Sequence, residues 1–388
     1  MVSCPRVKIA FQTFGCRLNR AEALDQEARY AAEGHEVVAL DDACSPDVIV
    51  VRGCSVTAKA ERDCRKAIAH LRARFPSARI ELTGCLAGAS ATPSEDAAPQ
   101  TIPTRTARAY LKVQDGCSCK CAFCIVPSFR GPPRSVPFAQ ALSRAQAFFD
   151  AGYREIVVTG CNLALYRDAG RGLADLLSSL ADLPVRVRLS SLEPGVCDAA
   201  ILDAFAARPN ICRFIHLSVQ SGSDRILKRM GRPYAIAAVD SFCYAAVERL
   251  GPRIALGADI ITGFPGETDA DFAATRDFIS RHPFSNLHVF PYSERPGTAA
   301  AAMDGAVPVA VRRTRAKELD AIGAAQRKAF AASFLGRNVE VCIERGNTGW
   351  TAEYLKCAFP DTAVKLRRRS LAQGRVIGVE GDSLVAKI

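Results

Sequence analysis

No apolar run in this chain approaches the ~20 residues that a membrane-spanning helix needs, so no membrane partner is expected. The opening residues, MVSCPRVKIAFQTFGC, lack a charged start followed by an apolar core and a small-residue cleavage site. An export signal is therefore not expected, and the chain reads as cytoplasmic. In a reducing cytosol disulfides are rare, so the 16 cysteines are better candidates for metal or catalytic use where they cluster and for small buried fillers where they stand alone. A phosphate loop is missing too: GFPGET (263–268) has no Gly-Lys-Ser/Thr ending.

What is present fits a soluble globular protein, with 49% apolar and 23% charged residues over 388 positions, enough for two or three domains. The net charge of +11 is unevenly placed. From residue 309 onward there are 15 Lys and Arg against 8 Asp and Glu, much of it in VRRTRAK (311–317) and VKLRRRS (364–370). A basic terminal domain points to a polyanionic partner held through phosphate contacts.

The chain divides by pattern into an α/β assembly. Residues 1–88 alternate strands (7–14, 46–53, 78–84) with helices (23–34, 57–75), the signature of a parallel βαβ domain. Residues 89–108, rich in Ala, Pro, Ser and Thr, read as a linker. Six further strands, at 109–113, 154–159, 185–190, 213–219, 254–261 and 286–291, separated by helices such as 138–152 and 269–282, predict a partial (β/α)6 barrel over 109–331. Short alternating segments over 332–388 (NVEVCIE, GWTAEYLKCAF, TAVKLR, GRVIGVEGDSLVAKI) predict a small all-β barrel.

Two sets of cysteines stand out. Cys16, Cys54 and Cys85 each follow one of the first three strands, and the C-terminal ends of parallel strands share one ligand-binding edge. The second set lies in CSCKCAFC (117–124), after the first strand of the barrel. Cys121 and Cys124 alone make a C-x-x-C pair; Cys117 to Cys124 could close a local disulfide; or Cys117, Cys121 and Cys124 form a C-x3-C-x2-C triplet with Cys119 as bystander. A structural zinc site takes four ligands, and the second well-spaced pair is missing. Iron–sulfur clusters are normally held by four thiolates, so a triplet leaves one iron open for a substrate or cofactor. The triplet suits catalysis best.

DGCSCKCAFCIVPSFRG (115–131) resembles the cluster loop of radical S-adenosylmethionine enzymes, and more narrowly of the methylthiotransferases, whose loop runs into a Pro and an Arg-Gly, here Pro127 and Arg130-Gly131. TFGCRLN (13–19), RGCSVTAKAERDCRKAI (52–68) and LTGCLAG (82–88) resemble the family's N-terminal cysteine blocks. VTGCNL, SSLEP, HLSVQSGSDRILKRMGRPY, GADIITGFPGETDADF and HVFPYSERPGT resemble its barrel motifs, and the tail is similar to an RNA-binding TRAM domain. The resemblance covers nearly the whole chain. It implies two [4Fe-4S] clusters, one on Cys117, Cys121 and Cys124, the other on Cys16, Cys54 and Cys85. The first would bind S-adenosylmethionine and cleave it to a 5′-deoxyadenosyl radical; the second would carry the sulfur that is methylated and inserted. Gly160, Asn162, Ser191, Glu193, Gln220, Arg232 and Asp259 are the candidate S-adenosylmethionine contacts, whereas His216 reads as a core or rim histidine. Cys119 and the nine remaining cysteines read as fillers.

The substrate branch most similar to this chain acts on N6-threonylcarbamoyladenosine next to the tRNA anticodon, so the implied partners are a tRNA anticodon stem-loop, a small electron-transfer protein as reductant, and a sulfur donor that the sequence does not identify. Other branches act on isopentenyladenosine in tRNA or on a ribosomal-protein aspartate; a non-enzymatic iron–sulfur RNA-binding protein is the contrasting expectation. Three departures are visible: Arg52-Gly53-Cys54 in place of Asn-Thr-Cys, a short segment between Cys85 and Cys117 that reads as lacking the last strand and helix of the N-terminal domain, and Arg134-Ser135-Val136 in place of Arg-Ser-Arg.

Overall fold

The computed structural model describes residues 6–40, 45–90, 106–196, 199–360 and 365–388. The N-terminal unit consists of β1 (Lys8–Thr13), α1 (Arg17–Ala32), β2 (Glu36–Val38), β3 (Val48–Gly53), α2 (Ala58–Arg74) and β4 (Arg79–Gly84). Its sheet has the order β2-β1-β3-β4 with every pairing parallel. Two details differ from expectation. β2 is an additional strand, too short at three residues to show a periodic pattern. α1 starts six residues earlier than the predicted 23, because its first turns carry polar residues, among them the fully buried Asn19, which hide the apolar stripe of Leu18, Ala21, Leu24 and Ala28. Most of the predicted linker (91–105) lies outside the described residues. Its start belongs to a short 3₁₀ turn, Cys85–Ser90.

The central unit follows the predicted strands closely: β5 (Ala109–Asp115), α3 (Val126–Arg130), β6 (Arg134–Ser135), α4 (Phe138–Asp150), β7 (Glu155–Gly160), α5 (Leu173–Leu180), β8 (Arg186–Leu189), α6 (Ala199–Ala207), β9 (Phe214–Gln220), α7 (Asp224–Arg229), α8 (Ile236–Leu250), β10 (Ala255–Thr262), α9 (Asp269–Arg281) and β11 (Phe284–Pro291). β5-β7-β8 and β9-β10-β11 are parallel ladders. Among the described residues they are joined across the β8–β9 gap by single bridges, Val187 with Ile211 and Leu192 with Leu217. The result is an open partial barrel of six parallel strands, with the two-residue β6 antiparallel on the edge of β5.

Alternation along these strands separates two environments. Leu111, Val113, Ile156, Val158, Val187, Leu189, Ile215, Leu217 and Val219 pack outward under the helices in one large apolar core. The alternate positions face the interior and are mostly polar: Gln114, Glu155, Thr159, Arg186, Arg188, His216, Ser218 and Gln220. This interior is lined for chemistry at its C-terminal end and for charge pairing at its N-terminal end.

α10 (Val309–Ala332) leads to a closed five-stranded barrel of β12 (Asn338–Arg345), β13 (Thr348–Thr351), β14 (Lys356–Ala358), β15 (Leu371–Glu380) and β16 (Ser383–Lys387), ordered β12-β13-β14-β16-β15. The predicted segment TAVKLR contributes no strand among its described residues (365–367). The small barrel seats against the N-terminal end of the large one. Arg186 donates to the carbonyls of Glu340 and Trp350, and Arg188 to those of Thr351 and Ala352. α1 covers part of the interior face, packing Ala21 and Leu24 on Tyr110 and Val157.

The terminal charge surplus is partly spent inside the fold. Arg312 and Arg315 are buried, the first bonded to the carbonyls of Val307 and Tyr292 and paired with Glu294, the second paired with Glu267 and Asp269. Arg369 turns onto the Tyr153 ring and the Thr106 carbonyl. Lys365, Arg367, Arg313 and Lys317 remain exposed.

Candidate active site

Cys54 and Cys85 directly follow β3 and β4, and Cys16 stands three residues beyond β1; the C-terminal ends of these three adjacent strands form one edge. Cys16 is the N-cap of α1, and its thiol is not used as a cap. A side chain at Gly15 would come within 3.0 Å of the Cys54 sulfur, so the loop before Cys16 lies directly on Cys54. Cys54 and Cys85 are buried whereas Cys16 is exposed, which leaves the trio open on one side. Burial pushes the Cys54 thiol up to about 11, with the Cys16 and Cys85 thiols adding to the shift. Burial raises Cys85 too, against the opposing pull of Arg130. The start of α1 presents its positive dipole end beside Cys16, favourable for thiolate charge. Ser55 Oγ donates to the Cys85 carbonyl at 3.1 Å, tying two of the loops together.

The second set begins where β5 ends. Gly116 has φ +70°, and a Cβ there would sit 2.0 Å from the Pro132 carbonyl oxygen, so the chain can turn into the loop only without a side chain. The Cys117 N–H donates to Gly131 at 3.0 Å and the Cys124 N–H to the Cys121 carbonyl at 3.0 Å. Ala122 is pinned on both sides, its N–H donating to Met230 at 2.9 Å and its carbonyl accepting from Ala300 at 2.8 Å. We expect Gly116→Ala to leave the barrel folded but to prevent iron retention by this loop, which iron analysis after anaerobic reconstitution, alongside circular dichroism, would check. Unchanged iron would refute the close fit.

Polar groups on neighbouring strand ends are directed at these sulfurs. Arg232 Nη1 lies 3.2 Å from Cys121 Sγ, and its guanidinium pairs with Glu193 at 2.8 Å and donates to the Ser218 carbonyl. Asn162, just after β7, directs Nδ2 at Cys119 Sγ (3.5 Å) and Cys117 Sγ (3.8 Å), while its N–H donates to Gln114 Oε1 at 2.7 Å. Burial raises the thiols of Cys121 and Cys124, the latter to about 11. Gln220 ends β9 at φ +71°, an uncommon conformation for a side-chain-bearing residue and a recurrent one at functional sites. Gly160 ends β7 and Ser191 is exposed just beyond β8, on the same rim. Asp259 is placed differently: its carboxylate lies between His216 and His288, inside the barrel wall. His216 is buried, as a core histidine would be, but is that carboxylate's close neighbour rather than an isolated ring.

A buried ionic network links the two cysteine sets. Arg130, at the end of α3, bonds both carboxylate oxygens of Glu22 (2.8 and 3.1 Å), Asp115 (3.0 Å) and Asn19 Oδ1 (3.1 Å), and reaches Cys85 Sγ at 3.9 Å. Lys112 joins Glu22 to Asp115, each at 2.7 Å. Arg52, the residue that departs from the family's Asn, enters the same network through Glu22 at 2.8 Å and Gln26 at 3.1 Å. Although burial opposes it, these cations hold the Glu22 carboxyl at about 2.

Sequence reasoning missed Asn19, Glu22 and Asp115 because the network closes through Arg130, which lies on another unit from Asn19 and Glu22 and across the cluster loop from Asp115. It also placed Cys119 and Cys161 among the fillers. Cys119 sits against Cys117, with burial and the Cys117 thiol pushing it up to about 12, and Cys161 follows Gly160 on the rim, its thiol raised by burial in the field of Arg130, Cys117 and Asp115. The position of Cys161 one residue beyond a strand end, the same signal used for Cys54 and Cys85, was available for it.

Comparison with known proteins gives three results. Residues 111–279 match the model of the Radical SAM superfamily, and residues 8–102 match the Uncharacterized protein family UPF0004. Similar curated proteins include the Threonylcarbamoyladenosine tRNA methylthiotransferase MtaB of Thermotoga maritima (31% identical, 98% of each chain) and that of Bacillus subtilis (32%, 91% of this chain and 90% of the relative). A tRNA-2-methylthio-N(6)-dimethylallyladenosine synthase of Cereibacter sphaeroides is 31% identical over 87% of each chain. The Thermotoga alignment spans 436 positions against the 388 residues of this chain, so the relative carries at least 48 residues that this chain lacks. Among solved structures, the radical S-adenosylmethionine methyltransferase TsrM of Kitasatospora setae superimposes with a TM-score of 0.56 over 76% of this chain and 77% of its own, at 14% identity. That likeness concerns the fold.

Proposed function

The chain belongs to the radical S-adenosylmethionine methylthiotransferases, and from that premise we propose that it adds a methylthio group to C2 of N6-threonylcarbamoyladenosine beside a tRNA anticodon. The observation that carries the reading is the pair of three-thiol sites joined by the Arg130–Glu22 network, one for each half of a sulfur-inserting reaction.

In this reading Cys117, Cys121 and Cys124 hold one [4Fe-4S] cluster and Cys16, Cys54 and Cys85 a second. The donor sets fit such groups: three thiols each, with the N–H groups of Arg232 and Asn162 directed at Cys121 and Cys117 and that of Arg130 at Cys85, as anionic sulfur requires. When bound, the iron–sulfur groups and S-adenosylmethionine supply the methyl group, the sulfur and the hydrogen-atom abstraction. The protein's own part is placement. Arg232, fixed by Glu193 and the Ser218 carbonyl, keeps positive charge beside Cys121. Glu193 offers a carboxylate suited to ribose hydroxyls. Gly160, Asn162, Ser191 and Gln220 present the polar rim for the rest of S-adenosylmethionine. Arg130 and Lys112 hold α1, and with it Cys16, in register with the barrel, and Arg52 ties α1 to its own sheet.

The exposed cations of the terminal barrel and α10, Lys365, Arg367, Arg313 and Lys317, suit the phosphates of an anticodon stem. A small electron-transfer protein would supply electrons, and a sulfur donor would replenish the N-terminal site. The decisive test is mass spectrometry of nucleosides from bulk tRNA of a strain lacking the gene. Loss of methylthiolated threonylcarbamoyladenosine, with the unmodified form accumulating, is the expected result. The Cereibacter relative motivates a second reading: loss of only the methylthiolated isopentenyl form would transfer the activity to that nucleoside. A methylthio group missing only from a ribosomal protein would sink both.

A further inference from the structure

Away from the thiol sets, three strands bring two imidazoles and a carboxylate to one place. His216 on β9, Asp259 on β10 and His288 on β11 face the barrel interior, and Asp259 and His288 are direct register partners. Asp259 Oδ1 lies 3.0 Å from His216 Nε2 and 3.2 Å from His288 Nδ1, and one ligand atom from each residue lies within 4.8 Å of the others. Gly257, two residues before Asp259, makes room for this arrangement: a Cβ there would come within 2.3 Å of His216 Nδ1.

The approach of His216 to Asp259 is not that of an ordinary hydrogen bond. His216 is 3% exposed, and its Nε2 is buried without a hydrogen-bond partner although the carboxylate oxygen is only 3.0 Å away. Two donor atoms that converge in this way have the separation of adjacent ligands on one ion: with bonds of about 2.0–2.2 Å at angles near 90–110°, neighbouring donors stand about 2.8–3.6 Å apart.

We propose that His216, Asp259 and His288 form a site for a divalent transition-metal ion, bound through two imidazole nitrogens and one carboxylate oxygen on one face of the ion. Two imidazoles and a carboxylate leave coordination positions for water or an oxygen anion. The open side is accessible: the His288 side chain is 49% exposed. Asn286 stands behind His288, its Nδ2 3.2 Å from Nε2, and Arg327 holds the amide oxygen at 3.3 Å. In the metal-free chain this amide donates to Nε2 and the ring proton sits on Nδ1. Metal uptake moves that proton to Nε2, and the amide oxygen turns from Arg327 to accept it, Arg327 keeping the Ser285 carbonyl as its acceptor; an accepting oxygen is the outer partner a ligating histidine usually has. The ion would lie next to the cluster loop without sharing its ligands. Ser218 connects them, its Oγ 3.5 Å from Asp259 and its carbonyl accepting from Arg232.

The test uses the anaerobically reconstituted enzyme with its iron–sulfur groups in the oxidised, EPR-silent state, titrated with Mn²⁺ while the six-line signal of the free ion is recorded. Mn²⁺ prefers nitrogen and oxygen ligands to thiolates, so the 16 cysteines do not compete for it as they would for Zn²⁺. The wild type is expected to withdraw about one equivalent per chain. His288→Gln and Asp259→Asn are expected to weaken that binding at least ten-fold with iron content unchanged. His288 is half-exposed, so its variant keeps the test valid where Asp259→Asn fails to fold. Equal Mn²⁺ binding in wild type and His288→Gln, or none in the wild type, overturns the proposal.

Discussion

Cys121→Ala is expected to abolish S-adenosylmethionine cleavage and with it every methylthio product, whereas the triple change of Cys16, Cys54 and Cys85 to Ala should keep cleavage and lose only the product. The two variants separate because, in the proposed function, the two thiol sets do different work on different units. Cys121 is the sulfur that Arg232 touches at 3.2 Å, on a loop pinned by Met230 and Ala300. The N-terminal trio belongs to another sheet and meets the barrel through the Arg130–Glu22 network, so emptying it leaves the cluster loop intact. Iron analysis makes the contrast quantitative: about eight irons per wild-type chain, for two four-iron clusters, and about four in either variant. The readouts are 5′-deoxyadenosine by chromatography and methylthio nucleosides by mass spectrometry. Cleavage by Cys121→Ala, or about four irons in the wild type, would contradict the two-cluster reading.

Glu155→Leu is expected to lower the unfolding free energy by about 3–5 kcal/mol, because it strands buried positive charge. Glu155 is fully buried at the start of β7, bonded to Arg186 (3.0 Å at Nε, with a second, shorter contact) and to Arg188 at 2.7 Å; Arg108 completes the cluster at 3.9 Å. Burial alone would raise the Glu155 carboxyl; Arg186 and Arg188 outweigh it and hold the group far below the usual carboxylate range. The same two arginines carry the four carbonyl contacts that seat the terminal barrel, so the loss should also loosen that seat. Trp350, the sole tryptophan, reports on the seat because it stacks on Tyr354 beneath Arg108. An earlier fluorescence transition in denaturant is the expected signature. Replacing Arg186 and Arg188 by Met in the Glu155→Leu background should recover part of the loss, since matched apolar groups remove the stranded charge. An unchanged midpoint in Glu155→Leu would show that the carbonyl contacts alone neutralise the arginines.

The periodic parts of the fold were legible in the sequence. All six barrel strands appear close to their predicted positions, and so does the cysteine after each of β1, β3 and β4. Alternation and strand-end loops are local, short-range properties that the order of residues carries by itself. The start of α1 and the three-residue β2 were less legible, the first because its inward residues are polar, the second because three residues make no period. Charge was the least legible. VRRTRAK and VKLRRRS read as a basic surface for a polyanionic partner, yet Arg312, Arg315 and Arg369 turn inward to acids and carbonyls from distant segments.

The sequence by itself determined the units, their order, and the two sets of three thiols at strand ends, since each depends on residues near one another along the chain. Only the tertiary structure decided what surrounds those thiols. Glu22 meets Arg130 across 108 positions and Asp259 meets His216 across 43, by the stacking of strands and the docking of α1 on β5 and β7. Pairing between charges depends on where folded backbones bring side chains within a few ångströms, and neither spacing nor composition carries that distance.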